Sequence, residues 1–242
     1  MIEKNWKKCK IKSNNVGGEI NMKHYAEVIL KSILGGFCIV VGSTGYLILK
    51  SYDMTVLGAF VFGLGLYAII HFKLWLFTSK ISGVVNHKLS YSLDVLICLV
   101  VNILSVIALS ALLAQTRIGG TLQEYSTPLV DSKMGDTWYS ILILSFMCGT
   151  MIYLAVNGHE KCSYGAGKVV MVFLSIFIFI ICSYEHVIAN ACYFTYAGVI
   201  SWKVVLYFLI MAIGNSLGAI FVQSMRDLIN KLNKDNSSQK TE

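Results

Sequence analysis

The sequence predicts an all-α integral membrane protein with six transmembrane helices, built as an inverted repeat in which the second and fifth helices are broken. Three observations predict it. The 242 residues are 56% hydrophobic and 14% charged, with a mean hydropathy of +0.66, too apolar for a soluble domain and ordinary for a polytopic membrane chain. Long apolar runs recur along the sequence, and the second and fifth are interrupted by ionisable residues. Lysine and arginine are crowded at alternate ends of successive runs, as the positive-inside rule requires.

The same numbers exclude other classes. A net charge of +7 has no soluble basic domain to sit on, so nucleic acid is not an expected partner, and the surplus reads as cytoplasmic anchoring. The seven cysteines are scattered without a CxxC pair, which predicts neither a zinc site nor a disulfide framework. No cofactor is expected. The 20 glycines fall inside apolar runs, where membrane helices approach closely, and the single proline is Pro128.

Residues 1–24 form a basic cytoplasmic segment rich in lysine, and without an apolar core it is not a signal peptide. Residues 1–20 read as a disordered tail, and His24–Lys31 as a segment on the membrane surface. The membrane domain is expected over 25–226. Its first span covers about 28–49 and its second starts with the apolar run 55–72. That second run meets Lys73, continues through Leu76 and ends at Lys80. The third span is about 91–114, with Asn102 inside, and 115–136 is the longest hydrophilic connection. The fourth span is about 138–156 and the sixth about 204–225, before a polar cytoplasmic tail over 227–242. Both termini fall on the lysine-rich, cytoplasmic side. Three spans per half give the halves opposite orientation, which is the inverted repeat.

The fifth span holds the most informative stretch, Ser183–Asn190. Apolar sequence runs from Val169 to Ile200, far beyond the ~20 residues that one spanning helix needs. In its middle sit Glu185 and His186, side by side. Ionisable groups at that depth are costly and usually line an ion or proton pathway. Glu185 has two readings, pore chemistry or the capping of a half-helix and bonding of backbone freed by the break. Asn102 and Asn215 read as interhelical hydrogen-bonding groups. His159-Glu160 has no third ligand nearby, so no metal site is expected.

Tyr184-Glu185-His186-Val187-Ile188-Ala189-Asn190 resembles the aromatic-Glu-His-Ser-x-Ala-Asn signature of the formate/nitrite transporter family at the break of its fifth helix. Leu76-Phe77-Thr78-Ser79 is similar to the Leu-Phe-Thr-Ser element that breaks the second helix, and Gly214-Asn215-x-x-Gly218 to a Gly-Asn element in the last span. The resemblance covers roughly residues 25–226. It implies an aquaporin-like fold, one pore per protomer of a homopentamer, and transport of a small monovalent weak-acid anion such as formate, nitrite or hydrosulfide. His186 is implied as the central proton-relaying pore histidine, with Thr78 across the pore, Glu185 beside it and Lys133 adding positive field. Leu76 and Phe77 are implied for the cytoplasmic-side constriction, Phe62 and Phe179 for the outer aromatic one, and Asn190, Asn102 and Asn215 for hydrogen bonding at the helix breaks. The resemblance describes channels in membrane lipid, not enzymes, and implies a cell (inner) membrane location.

Several positions depart from the family pattern. Trp75 stands where an acid usually precedes Leu-Phe-Thr, Lys73 is close by, Lys80 replaces an asparagine, and Gly149 falls where formate channels carry asparagine. They keep open a hydrosulfide or short-carboxylate channel, or a non-transporting regulatory subunit. An aquaporin proper needs Asn-Pro-Ala pairs, which a chain with one proline lacks. An intramembrane enzyme needs paired acids, a Ser/His arrangement or clustered ligands, which the spans do not offer.

Overall fold

A computed structural model describes residues 19–239, with side chains over 22–236. The lysine-rich residues 1–18 lie outside the described residues. Nine α-helices and no strand are found among those described: α1 (Glu19–Lys50), α2 (Thr55–His71), α3 (Phe77–Lys80), α4 (Leu89–Ala114), α5 (Gly119–Gly135), α6 (Trp138–Lys161), α7 (Gly165–Ile181), α8 (Val187–Ala197) and α9 (Trp202–Gln239), with a short 3-10 turn at Ile81–Val85. Four segments are long and apolar enough to cross a membrane, Met22–Lys50, Leu89–Ala114, Trp138–Lys161 and Trp202–Asn236. By contrast α2 and α7 have 17 residues each, roughly 25 Å, short of the ~30 Å hydrocarbon core. Each is followed by a break and a second helical piece, α3 or α8.

The two halves repeat each other in packing. α1 packs on α2 and α4 as α6 packs on α7 and α9, and α2 meets α7 between them. α8 is apolar nearly all round and buried from Val187 through Phe194, as a helix enclosed by others must be. α4 and α5 cover it.

Three boundaries differ from the sequence expectations. The hydrophilic connection 115–136 contains α5, whose buried residues Leu122, Ser126, Val130 and Lys133 make one helical stripe. Pro128 sits inside that helix on its exposed side, where the hydrogen bond it cannot donate is replaceable by water. His24–Lys31 is not a separate surface segment but part of α1, held by a Glu27–Lys31 ion pair one turn apart and by His24 Nε2 at 3.0 Å from Asp94. α9 runs on past Arg226, where Gln223 donates to Asp227 at 2.7 Å one turn on, and Asn86 donates to the same carboxylate at 2.9 Å.

Candidate functional site

Breaking a helix inside apolar surroundings frees backbone groups that no water satisfies. Both breaks solve this in the same way. At the end of α2, Lys73 N–H donates to Ile70 O at 3.2 Å and Leu74 N–H to Ile69 O at 2.9 Å. At the end of α7, Ser183 donates to Ile180 O and Tyr184 to Phe179 O, both at 3.0 Å. This is the pairing of a Schellman motif, and it puts Lys73 (φ 54°) and Ser183 (φ 52°) in the left-handed region.

The chain then runs extended, and one asparagine from the last helix of each half bridges each gap. Asn102 Oδ1 accepts from Phe77 N–H at 2.9 Å, while its Nδ2 donates to Ser32 O at 2.7 Å and Trp75 O at 3.1 Å. Asn215 Oδ1 accepts from Val187 N–H at 3.0 Å, while its Nδ2 donates to Ser145 O at 2.8 Å and Glu185 O at 2.7 Å. The inverted repeat is therefore written in hydrogen bonds as well as in packing. Asn190 does something different. Its Nδ2 donates to Glu185 Oε2 at 2.6 Å and lies 3.1 Å from Met211 sulfur, so it serves the carboxylate rather than freed backbone.

Leu76 stands at the N-cap position of α3 without a side-chain bond, whereas His186 at the N-cap of α8 caps it through its ring. His186 is 2% exposed, and its Nδ1 accepts from Ala189 N–H at 3.0 Å, satisfying an orphan donor of the helix start. While that bond stands the ring proton sits on Nε2. Nε2 lies 2.9 Å from Thr78 Oγ1, itself buried on α3. The ring thus donates to Thr78, whose own hydroxyl proton can be aimed at a solute.

Apolar residues sit on both sides of this pair. Leu76 and Phe77 are buried beside Thr78. Phe62 on α2 and Phe179 on α7 meet edge to face with ring centroids 5.6 Å apart, and Phe179 is 5.8 Å from the His186 ring.

Lys133 differs from its expectation. Its ammonium is buried and donates to both oxygens of Glu185 at 2.8 Å. With Asn190 the carboxylate has three bonds, so the field of Lys133 is largely offset by its partner rather than presented alone. α5 is what brings Lys133 here.

Two cavities flank the centre. One, of about 40 Å³, is lined by His186, Phe179, Lys133, Asn190, Tyr46 and Tyr193. The other, of about 720 Å³, is lined by Lys73, Lys80, Ser79, His159, Glu160 and Lys168 among others. Tyr46, Tyr193, His159 and Lys168 are not part of the sequence-derived site. The sequence signal for Tyr193 is its spacing of three from Tyr196 in an apolar segment, and it reads equally well as core. Among the described residues no group of three or more His, Cys, Asp or Glu is arranged to hold a metal.

The departures from the family pattern also have positions. Lys80 Nζ stands over the Trp75 ring, 5.5 Å from its centroid, so the two changes form one cation–π pair. Trp75 packs in turn on Tyr91, ring centroids 5.9 Å apart. Gly149 on α6 faces the Asn215 carbonyl of α9, and a Cβ there would collide with it. An asparagine does not fit this position.

Interrupted helices that meet at buried polar side chains between two cavities, in an apolar bundle, define a membrane transporter or channel. The chain belongs to the formate/nitrite transporter family, whose profile matches residues 10–226. Among solved structures it is similar to one described as a pentameric formate channel with formate bound, at 21% identity and TM-score 0.73, covering 86% of this chain and 98% of that one. It is also similar to one described as an FNT family ion channel, at 16% identity and TM-score 0.70, covering 87% and 90%. At these identities the structural likeness speaks for the fold. No curated protein sequence matches the chain.

Proposed function

We propose that the chain carries a small monovalent weak-acid anion of the formate or nitrite type across a cell membrane, past His186 and Thr78. The observation that carries this reading is the buried His186–Thr78 hydrogen bond between two cavities. Bare charge is expensive in the apolar stretches formed by Leu76 with Phe77 and by Phe62 with Phe179. A solute that becomes neutral between them avoids that cost. In this reading the Ala189 N–H bond to Nδ1 opens as His186 takes up a proton from the entry side. The imidazolium gives its Nε2 proton to an oxygen of the anion, the ring is left neutral with its proton on Nδ1, and the neutral acid passes the apolar constriction. The proton enters from one aqueous side with the anion and leaves on the other. Lys133, Asn190 and Glu185 keep the neighbouring wall polar without leaving net charge on it.

One observation favours a second reading. Nδ1 is engaged by Ala189 N–H, so the resting ring offers an Nε2–H donor and can pass an anion by hydrogen bonding, with no proton transferred. The readings differ in charge moved. The similar formate channel is pentameric, and the same assembly is proposed here, with a pore in each protomer and both termini cytoplasmic.

Purified protein in liposomes, offered formate, nitrite, hydrosulfide or chloride gradients, tests the reading. Uptake of a weak-acid anion above chloride is expected, with internal acidification and little membrane potential if the proton travels too. A potential without acidification selects the second reading. No uptake of any of the four defeats both.

A further inference from the structure

We propose that the larger cavity is a binding site for a solute bearing a diphosphate group, and that this solute closes the mouth of the passage without crossing it. Three lysines reach the cavity from separate elements: Lys73 from the break after α2, Lys80 from α3 and Lys168 from α7. Among the described residues Glu160 is the one acid lining this cavity. Lys80 and Lys168 take part in none of the ion pairs among the described residues. Both are only partly exposed, and Lys80 is held in place by the Trp75 ring. Lysines converging from different directions suit a multivalent oxyanion, since a monovalent one pairs with few of them at a time.

A second observation points the same way. His159 also lines this cavity, a further side chain able to donate a hydrogen bond to an oxyanion.

Size separates this solute from the permeant. At about 720 Å³ the cavity is within the ~300–1,000 Å³ of small-molecule sites. The cavity beyond the constriction is about 40 Å³, and Leu76 and Phe77 between them are buried. A solute that fits the first cannot enter the second. The proton relay proposed at His186 and Thr78 uses none of Lys73, Lys80, Lys168 and His159, so diphosphate binding stands apart from the transport reading, while the closure rests on it.

The test is calorimetric titration of the full-length, detergent-purified protein with inorganic pyrophosphate at fixed ionic strength, beside Lys80→Gln/Lys168→Gln and the single Lys168→Gln. Saturable binding by the wild type is expected, weakened roughly tenfold per lysine removed, as loss of a charge-assisted hydrogen bond implies. A nucleoside diphosphate titrated in parallel tells a free diphosphate from an organic one by which binds tighter. Absent or non-saturable binding, or equal affinity in folded Lys168→Gln, overturns the proposal. In liposomes, pyrophosphate on this side should lower formate uptake where equal ionic strength of chloride does not. Binding that leaves uptake unchanged overturns the closure. Liposomes that take up no formate even without pyrophosphate count against the transport reading alone, because the calorimetry stands apart from flux.

Discussion

Thr78 Oγ1 lies 2.9 Å from His186 Nε2, and this buried hydrogen bond joins the two interrupted helices of the chain. The two residues come from opposite halves of the repeat, so the contact exists only when both breaks are formed and docked. His186 is also the N-cap of α8 through Nδ1. One ring therefore ties the geometry of a helix start to the chemistry of the passage.

Thr78→Val keeps the shape of the side chain and removes its oxygen. The Nε2–H of His186 is left unpaired, which costs about 1–3 kcal/mol. Expected are a folded protein with a lower melting temperature in detergent and formate uptake reduced more than that loss of stability explains. Uptake equal to the wild type would remove Thr78 from the pathway.

The Lys133–Glu185 pair is buried and connects α5 to the break before α8. Removing one partner strands the other charge, for which about 3–5 kcal/mol is typical. Lys133→Met and Glu185→Gln should each lower thermal stability strongly, and the double change Lys133→Met/Glu185→Gln should cost less than the two singles added. A double-mutant cycle read by thermal unfolding checks this, and additive losses would deny the coupling.

Asn102 and Asn215 each satisfy one N–H and two carbonyls at a break. Asn215→Leu leaves Val187 N–H and Glu185 O without their asparagine partner, at roughly 1–3 kcal/mol each, while Ser145 O inside α6 keeps its helical bond. Asn215→Asp keeps the acceptor for Val187 N–H and loses both donors. The order of melting temperatures should be wild type, then Asp, then Leu, and the same order is expected at Asn102.

Much of this was legible in residues. The interruption of two apolar runs, the Glu185-His186 pair and the asparagines at positions 102 and 215 all stand in the sequence, because burying a charge or an amide in an apolar run has few cheap explanations. What stayed hidden was α5. Its low hydrophobicity and Pro128 read as a connection, yet the stripe from Leu122 to Lys133 has helical spacing, and a helix over the connection would have put Lys133 within reach of the site. The pairing of Lys133 with Glu185 was out of reach, since nothing local in either residue names the other. Lys80 and Trp75 read as two unrelated departures, and only the fold stacks them. The second cavity is likewise tertiary, made where the end of α2 and α3 meet the end of α6 and the start of α7, far apart in the sequence.

Ser183 and Lys73 hold left-handed conformations that cost a non-glycine residue roughly 1 kcal/mol. Ser183→Gly removes that strain where only the backbone of the turn is used. A rise of a few degrees in melting temperature is expected, offset in part by the greater freedom of glycine in the unfolded chain. A fall would place the Ser183 side chain among the contacts that hold the break.

The most direct test replaces His186 with asparagine. Asparagine is a good N-cap, so α8 keeps its start while the imidazole is gone. Formate uptake into proteoliposomes should drop by at least ~100-fold, the low end of what a positioned proton donor contributes, in a folded protein whose melting temperature falls about as far as that of Thr78→Val, since the same hydrogen bond is lost. Uptake within twofold of wild type by a folded His186→Asn protein would contradict the account.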